Sequence, residues 1–473
     1  MPEILISNPT TVGTGDTIAS DTTFRLQSLA PPGQPFVLLS IATNLNINGR
    51  ALLGDLGPMN AGVVIERGYE LRVGEAGPFH EAIGYSAPFA DGPSFYNDGR
   101  LTVTSSARTI GVDSWMDHRN FINQGVASAH GGTEAVVYSL KNGGSFFNSG
   151  LIEATAGSGS AQGVTMSGIG ARFTNSGTIR ATDQTPFDGA APFALMDSKT
   201  SVGVWWGAAQ LNGFPSSYFT NSGLIEAEVA LRVGPYFNDT LTQNHFVVNE
   251  STRVLRGWLT FELEKDNLLN SGLIDGSVNL GGGDDFYNNI NGRTTGLVSG
   301  GEGADHMRGG DYFDYMQGNQ GADSQWGAGG GDWLVGGQGS DQLLGEAGDD
   351  IVYLNLGDDT GDGGAGADWV RGGQGDDSLS GGDGDDWMSG DRGGDTLSGG
   401  AGADIFNSFG DAGLDRITDF RRAEGDRVHL EPGTTYTVAQ SGADVVISLS
   451  GGGQVVLVGA NLAELTTGWI FTG

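Results

Sequence analysis

The chain of 473 residues has no cysteine, so disulfide staples, thiolate chemistry and Cys-ligated metals are all closed to it. Positive charge is scarce: 23 Lys and Arg stand against 57 Asp and Glu, a formal net charge of −34. That balance argues against nucleic acid and anionic membrane surfaces as partners. No apolar run approaches the length of a membrane span, so direct membrane insertion is not expected. The opening MPEILISNPTTVGTGD lacks a basic n-region and an apolar h-region and does not read as a secretory signal peptide. The six histidines are scattered without ligand spacing. Neither an H-E-x-x-H zinc motif, a G-x-S-x-G elbow nor a phosphate loop occurs.

Glycine is what the chain has in excess, 84 residues of it. From Gly300 to Asn407 the text is twelve uninterrupted nonapeptides, opening GGEGADHMR and closing GGAGADIFN. The sixth position is always aspartate: Asp305, Asp314, Asp323, Asp332, Asp341, Asp350, Asp359, Asp368, Asp377, Asp386, Asp395 and Asp404. A further copy, LGGGDDFYN with Asp285, stands apart behind a short insertion. Glycines at positions one, two and four permit positive φ, so six residues are expected to curl into a tight loop. Positions seven to nine then form a short strand with the eighth side chain inward; Met307, Leu334, Val352, Leu379 and Phe406 hold that slot.

Two nonapeptides make one flattened turn of a parallel coil, so repeats 18 residues apart share an edge. Asp305, Asp323, Asp341, Asp359, Asp377 and Asp395 then line one edge, and Asp314 through Asp404 the other. Stacked like charges destabilise a sheet, so a cation is required between them. Oxygen ligands without His or Cys select a hard ion, and flexible loops suit calcium better than magnesium. A disordered Gly/Asp linker is the alternative, but a linker would not keep its hydrophobes in phase. Four departures mark weak points: Tyr312 at a fourth position, Gln325 and Gly361 in the hydrophobic slot, and Leu354-Asn355 for a glycine pair.

The nonapeptide resembles the RTX repeat G-G-x-G-x-D-x-U-x, which is tied to calcium-binding parallel β structure. The resemblance covers about a quarter of the chain. It implies that the loop aspartate and nearby carbonyls of one turn share a calcium with the next turn, and that many calcium ions bind. It also implies a type I secretion substrate, which leaves the cell unfolded through the secretion machinery by an uncleaved C-terminal signal. A Gly-rich, self-repelling block cannot offset its chain entropy without the ion. Folding is therefore expected outside the cell, where calcium modules bind at about 10⁻⁴–10⁻³ M. The expected location is secreted, extracellular or cell surface.

Upstream, residues 45–278 carry a looser repeat of the form aromatic-x-Asn-Ser-Gly-x-Ile. Its clearest copies are Phe147–Ile152, Phe173–Ile179 and Phe219–Ile225, with weaker ones at Asn97, Asn123 and Asn270. The Asn-to-Asn steps are 26, 25, 27, 46 and 49 residues, and the last two read as double steps, with Asn249 near the midpoint of the last. A spacing near 25 suits one rung of a parallel β-helix. Asn-Gly-type corners supply positive φ, the flanking Phe and Ile point inward, and the asparagines stack as a hydrogen-bonded ladder. The text resembles the β-helical passenger repeats of bacterial surface proteins. An antiparallel sandwich is the alternative, and the long period argues against it. The stretch from Asp183 to Tyr218 reads as an inserted loop. Its Trp205-Trp206 pair either offers exposed aromatics to a glycan or a second copy or, more simply, folds back to cover a β-helix face.

Residues 1–44 hold one apolar run, Phe36–Ile41, a candidate cap or assembly strand. After the nonapeptides, Asp415 to Phe420 and Asp426 to Val428 resemble the D-x-I-x-D-F segment that closes the roll in secreted RTX proteins. Three strands follow, Tyr436–Ala439, Val445–Leu449 and Val455–Val458, and the tail Trp469-Ile470-Phe471 resembles a type I secretion signal. The expected organisation is a segment 1–44, a parallel β-helix 45–278, a calcium-binding β-roll 279–407 and a C-terminal β cap with signal 408–473, an all-β chain throughout.

A catalytic reading has one candidate cluster, Asp117 and His118 with Asp113, Arg119, His80 and Glu81 nearby. A base, a carboxylate and an arginine are what proton abstraction beside a uronate requires. The cluster reads more simply as a polar corner, and nothing matches the Asp-Pro-His signature of alginate epimerases. The expectation is a non-catalytic, calcium-dependent structural protein of the bacterial surface, a surface-layer, filament or adhesin subunit. It assembles with copies of itself, with cell-surface polysaccharide as a further candidate partner. The alternative is a secreted lyase or epimerase acting on acidic polysaccharide.

Overall fold

Alternating inward Phe and Ile around an Asn-Gly corner produce a rung of three strands. Asn120–Asn123, Val126–Gly131 and Glu134–Leu140 make one rung, and Ser145–Asn148 opens the next. Each strand pairs in parallel with the strand one rung on: Phe121 opposite Phe146, Ala127 opposite Ile152, and Ala135 opposite Ala161. The computed structural model describes residues 3–6, 17–18, 23–26, 37–41, 45–48, 61–65, 70–74, 81–87, 95–106, 108–114, 120–140, 145–157, 160–169, 172–183, 202–209, 217–233, 245–251, 254–261, 265–465 and 467–472. Every regular element among them is a strand. The chain divides into two compact units, Met1–Glu264 with Gly272–Gly276, and Lys265–Ser271 with Ser277–Gly473.

In the first unit Phe95, Phe121, Phe146, Phe173 and Phe219 stack up the interior, all at most 3% exposed. The rings of Phe173 and Phe219 lie 4.6 Å apart and nearly parallel. Ile152, Ile179 and Ile225 form a second inward column. Four expectations are corrected. Phe146 is the inward residue of its rung, whereas Phe147 is 44% exposed, because strand alternation admits only one of the two. The 46-residue step is a single rung: Arg172–Asn175 pairs directly with Ser217–Asn221. The intervening stretch is not all loop, since Val202–Ala209 is a rung strand paired with Ser160–Ile169 and Leu224–Val233. Finally, the corner glycines do not take positive φ. A β-carbon on Gly150 would sit 2.0 Å from the Gly125 carbonyl oxygen, so glycine is needed for close approach between rungs. Of the N-terminal segment, Val37–Ile41 pairs in parallel with Ala61–Ile65.

The second unit is a flattened parallel roll with two strands per turn. Tyr315–Gln320, Trp333–Gln338, Ile351–Leu356 and Trp369–Gln374 stack on one face. Ser324–Gly329, Gln342–Ala347, Thr360–Ala365 and Ser378–Asp383 stack on the other. The strands are twice the expected length, because positions seven to nine continue through one to three of the next nonapeptide. The loop proper is only positions four to six. Met307, Met316, Leu334, Leu343, Val352, Val370, Leu379, Met388, Leu397 and Phe406 fill the interior.

Two of the four departures cancel each other. Leu354 is fully buried, and its Cδ1 lies 2.8 Å from where a β-carbon on Gly361 would be. The leucine at position one fills the hole left by the glycine at position eight. Gln325 is also fully buried and donates from Nε2 to the Val335 carbonyl at 2.7 Å.

At the far end Tyr436–Ser441, Asp444–Leu449 and Gln454–Leu457 form an antiparallel meander, the last strand also pairing with Leu414–Ile417. Ile470–Thr472 pairs with Arg427–Leu430. Trp469 is buried against Phe420, ring centroids 6.1 Å apart. The tail is thus part of the cap that covers the open strand edges.

Candidate metal centre

Each sixth-position aspartate stands where the loop turns into its strand, and its side chain is carried under the loop. Its own backbone N–H donates to the carboxylate Oδ1 of the aspartate one turn further on. Asp285 to Asp305, Asp305 to Asp323, Asp323 to Asp341, Asp341 to Asp359, Asp359 to Asp377 and Asp377 to Asp395 make one edge. Asp314 to Asp332, Asp332 to Asp350, Asp350 to Asp368, Asp368 to Asp386 and Asp386 to Asp404 make the other. The bonds are 2.6–3.1 Å long. All thirteen expected aspartates are therefore brought together in two ladders, each residue at most 3% exposed.

The second oxygen decides the chemistry. In twelve of the thirteen, Asp314 being the exception, Oδ2 is buried and has no hydrogen-bond partner among the described residues. A buried acceptor left unpaired costs about 1–3 kcal/mol, and more when it is charged. The first-position glycine leaves room for it. A β-carbon on Gly336 would meet Asp341 Oδ2 at 2.4 Å and the Leu354 carbonyl oxygen of the next turn at 2.7 Å. That glycine is not in the positive-φ region, contrary to expectation; Gly339 at position four is, at φ 129°. A carboxylate oxygen and a carbonyl oxygen of successive turns thus face one small space. Among the described residues no three Asp, Glu or His side chains gather into a metal cage; an ion held here would draw on backbone carbonyls beside the carboxylate. That set is all oxygen and fits a hard cation such as calcium.

Burial drives every one of these carboxyls upward in pKa, with neighbouring carboxylates adding to it for most. Asp305, Asp314, Asp323, Asp368 and Asp404 are pushed to about 6, Asp332, Asp341 and Asp386 to about 7, Asp377 to about 8 and Asp285 to about 9. Burial also raises Asp350, Asp359 and Asp395. A bound divalent ion reverses this logic by favouring the charged form.

The same corner in the first unit carries asparagine. Asn97 Nδ2 donates to Asn123 Oδ1 at 2.7 Å, and the bond repeats from Asn123 to Asn148, Asn175, Asn221 and Asn249 at 2.7–2.9 Å. An amide nitrogen replaces the second oxygen and supplies the donor, so this ladder needs no cation. In the second unit the two kinds meet: Asn270 donates to Asn289 at 2.6 Å, and Asn289 to Asp314 Oδ1 at 3.1 Å. Asp314 Oδ2 accepts from the Gly310 N–H at 2.7 Å. Its repeat carries Tyr312 at position four, and this carboxylate is fully partnered.

Three aspartates beyond the nonapeptides extend the ladders. Asp266 N–H donates to Asp285 Oδ1 and Asp404 N–H to Asp426 Oδ1. Asp415 faces Asp395, with its carboxyl pushed to about 8 by burial and by that neighbour. Asp266 and Asp426 lack the glycine loop, whereas Asp415 keeps part of it, with Gly410 and Gly413 at the first and fourth positions and Gly413 at φ 121°. All three keep the aspartate-x-hydrophobe signature, with Leu268, Val428 and Ile417 buried two residues on. The weak catalytic candidates Asp117 and His118, with Arg119 and His80, lie outside the described residues. Asp113 and Glu81 lie on described strands, Arg108–Ser114 and Glu81–Ala87.

Comparison with known proteins gives the same element. Residues 299–324, 326–361, 362–397 and 382–417 match the RTX calcium-binding nonapeptide repeat. The chain therefore carries RTX repeats, which bind multiple calcium ions. Among solved structures it is similar to the extracellular lipase LipA from Serratia marcescens at 18% identity, with a TM-score of 0.22, over 44% of this chain and 45% of the lipase. The chain thus spans less than half the length of that lipase. No curated protein matches the chain.

Proposed function

We propose that this RTX-repeat chain is a secreted, calcium-ordered structural protein of the bacterial surface, a subunit that assembles with copies of itself into a layer or filament. The observation that carries the reading is the row of buried carboxylate oxygens, twelve of thirteen of them without a hydrogen-bond partner among the described residues. A scaffold of this kind is strained without its ion and set once the ion is bound, which suits a chain exported unfolded into calcium. The interior of the roll is filled by side chains, so its working surfaces are its faces.

One face supports assembly. Position seven there reads Tyr315, Trp333, Ile351, Trp369, Trp387 and Ile405 in register. Trp333 and Trp369 are 37% and 43% exposed. On the other face the same row opens with Phe286, 37% exposed, and then runs polar through His306, Ser324, Gln342, Thr360, Ser378 and Thr396. An apolar row on one face only is the pattern of an interaction surface.

Electron microscopy of the purified chain, in millimolar calcium and again in excess chelator, tests the proposal. Ordered sheets or filaments are expected with calcium alone, and a Trp333→Ser, Trp369→Ser double variant is expected to remain dispersed. Assemblies and secondary structure that survive chelation would sink the reading, as would dispersed particles in both conditions.

A further inference from the structure

Beside the aromatic row, the same face of the roll carries an open groove of about 690 Å³. Position-three residues in register along it include Gln320, Gln338 and Gln374, with Leu356 and Arg392 completing the row. The three glutamines are exposed. Tyr353 and Arg371 form the adjoining wall.

The residues between these walls alternate with a period of two turns. Position two reads Asn319, Gly337, Asn355, Gly373, Asp391. The three side-chain-bearing members all sit at positive φ, 80°, 78° and 70°, where glycine is cheaper. The opposite face also holds side chains at positive φ, Ala328 at 79° and Glu346 at 73°, but they follow one another and give way to Gly364 and Gly382, without alternation. Strands stack roughly 4.8 Å apart, so the groove offers a carboxamide at three of five successive turns and a side chain across the floor at every second turn. That is the scale of successive rings in an extended sugar chain.

We propose that this groove binds an extended, uncharged polysaccharide, a function separate from the assembly reading and not dependent on it. Carboxamides donate and accept together, which matches vicinal hydroxyls, and Tyr353 supplies an apolar wall for a ring edge. A peptide added as a further strand is disfavoured, because the backbone of these strands is already spent on the ladders above and below. A polyanion is disfavoured too. Arg371 is held by Asp391, Arg392 lies 3.4 Å from Asp411, and the chain carries a formal charge of −34.

The test is affinity electrophoresis of the full, calcium-loaded chain at concentrations below those that assemble. The gels contain hydroxyethylcellulose, a soluble β-1,3-glucan, galactomannan or xylan, with polygalacturonate as a separate arm. At least one neutral polymer is expected to retard the chain. The Gln338→Ala, Gln374→Ala double variant is expected to weaken that retardation roughly tenfold, the loss of two neutral hydrogen bonds. Tyr353→Ala should weaken it also, while Gln342→Ala on the opposite face should leave it unchanged. No retardation by any of the four neutral polymers would overturn the proposal. Preference for polygalacturonate would overturn it, and so would groove variants that bind as before. Groove variants that alter sedimentation of the chain but not its glycan affinity would assign the groove to protein contact instead. Loss of assembly in the tryptophan variants with glycan affinity kept would leave this proposal standing.

Discussion

At the scale of the residue, one atom separates a self-sufficient ladder from an ion-dependent one. Asn221 presents a nitrogen to Asn249 Oδ1 at 2.9 Å, whereas Asp341 presents an oxygen that has no hydrogen-bond partner among the described residues. Replacing Asp341 by Asn keeps an oxygen to accept the Asp323 N–H, now 2.9 Å from Asp341 Oδ1, and puts a donor where the orphan stood. The expected outcome of Asp341→Asn is a folded state favoured by about 1–3 kcal/mol in chelator, with fewer calcium ions bound in a calorimetric titration. Asp314→Asn should do the opposite in chelator, losing about 1 kcal/mol, because its Oδ2 already accepts from Gly310. Urea unfolding of the two variants side by side decides the matter; equal shifts would mean that the orphan oxygens are not the seat of the calcium requirement. The aspartates themselves were legible in the sequence because a period of nine admits no other alignment. The role of the first glycine was not, since its reason is the space taken by a carboxylate five residues on, and spacing alone does not show where that oxygen points.

At the scale of the element, the legible quantity is the period, and the hidden one is compensation between positions. Leu354 and Gly361 look like two separate faults in the repeat, yet they exchange volume across one turn of the interior. Leu354→Gly restores the consensus but empties the core, an expected loss of about 2–5 kcal/mol. Gly361→Leu alone overpacks it, at about 1–3 kcal/mol, since Leu354 Cδ1 and Leu379 Cδ2 lie 2.8 and 3.3 Å from the new β-carbon. The double variant should recover most of both losses, a coupling visible in the urea midpoint with calcium present. Additive losses would show that the two positions do not share a cavity. The same limit explains the 46-residue step: spacing counts residues, not rungs, and a single rung with additional residues between its paired strands has the length of two. Asp415 and Asp426 were legible only as part of the closing segment and Asp266 not at all. Asp266 and Asp426 keep just the aspartate and the buried residue two places on, and Asp415, though it keeps Gly410 and Gly413, falls out of phase with the period of nine.

At the scale of the whole molecule, the two ladders predict different responses to calcium. Chelation at pH 8 should unfold the unit containing Ser277–Gly473 and leave the asparagine-laddered unit standing. Far-UV circular dichroism would then fall only in part, and limited proteolysis would leave a fragment ending near Glu264. Acid should partly replace the ion. The buried aspartates have folded-state pKa values raised to about 6–9, against 3.8 for the free side chain. A raised folded pKa means that the folded chain binds protons more tightly than the unfolded one. Calcium-free stability is therefore fully present below about pH 4 and is lost as pH rises through 6 to 9. In chelator, lowering the pH from 8 to 5 should restore signal from the roll. In calcium the same change should weaken binding, because protons and the ion compete for the same oxygens. A chelated chain whose roll is equally unfolded at pH 5 and pH 8 would place the calcium requirement in chain entropy rather than in the buried charge. The aspartate-to-asparagine variants would then leave the calcium threshold unmoved, so one titration series separates the two causes.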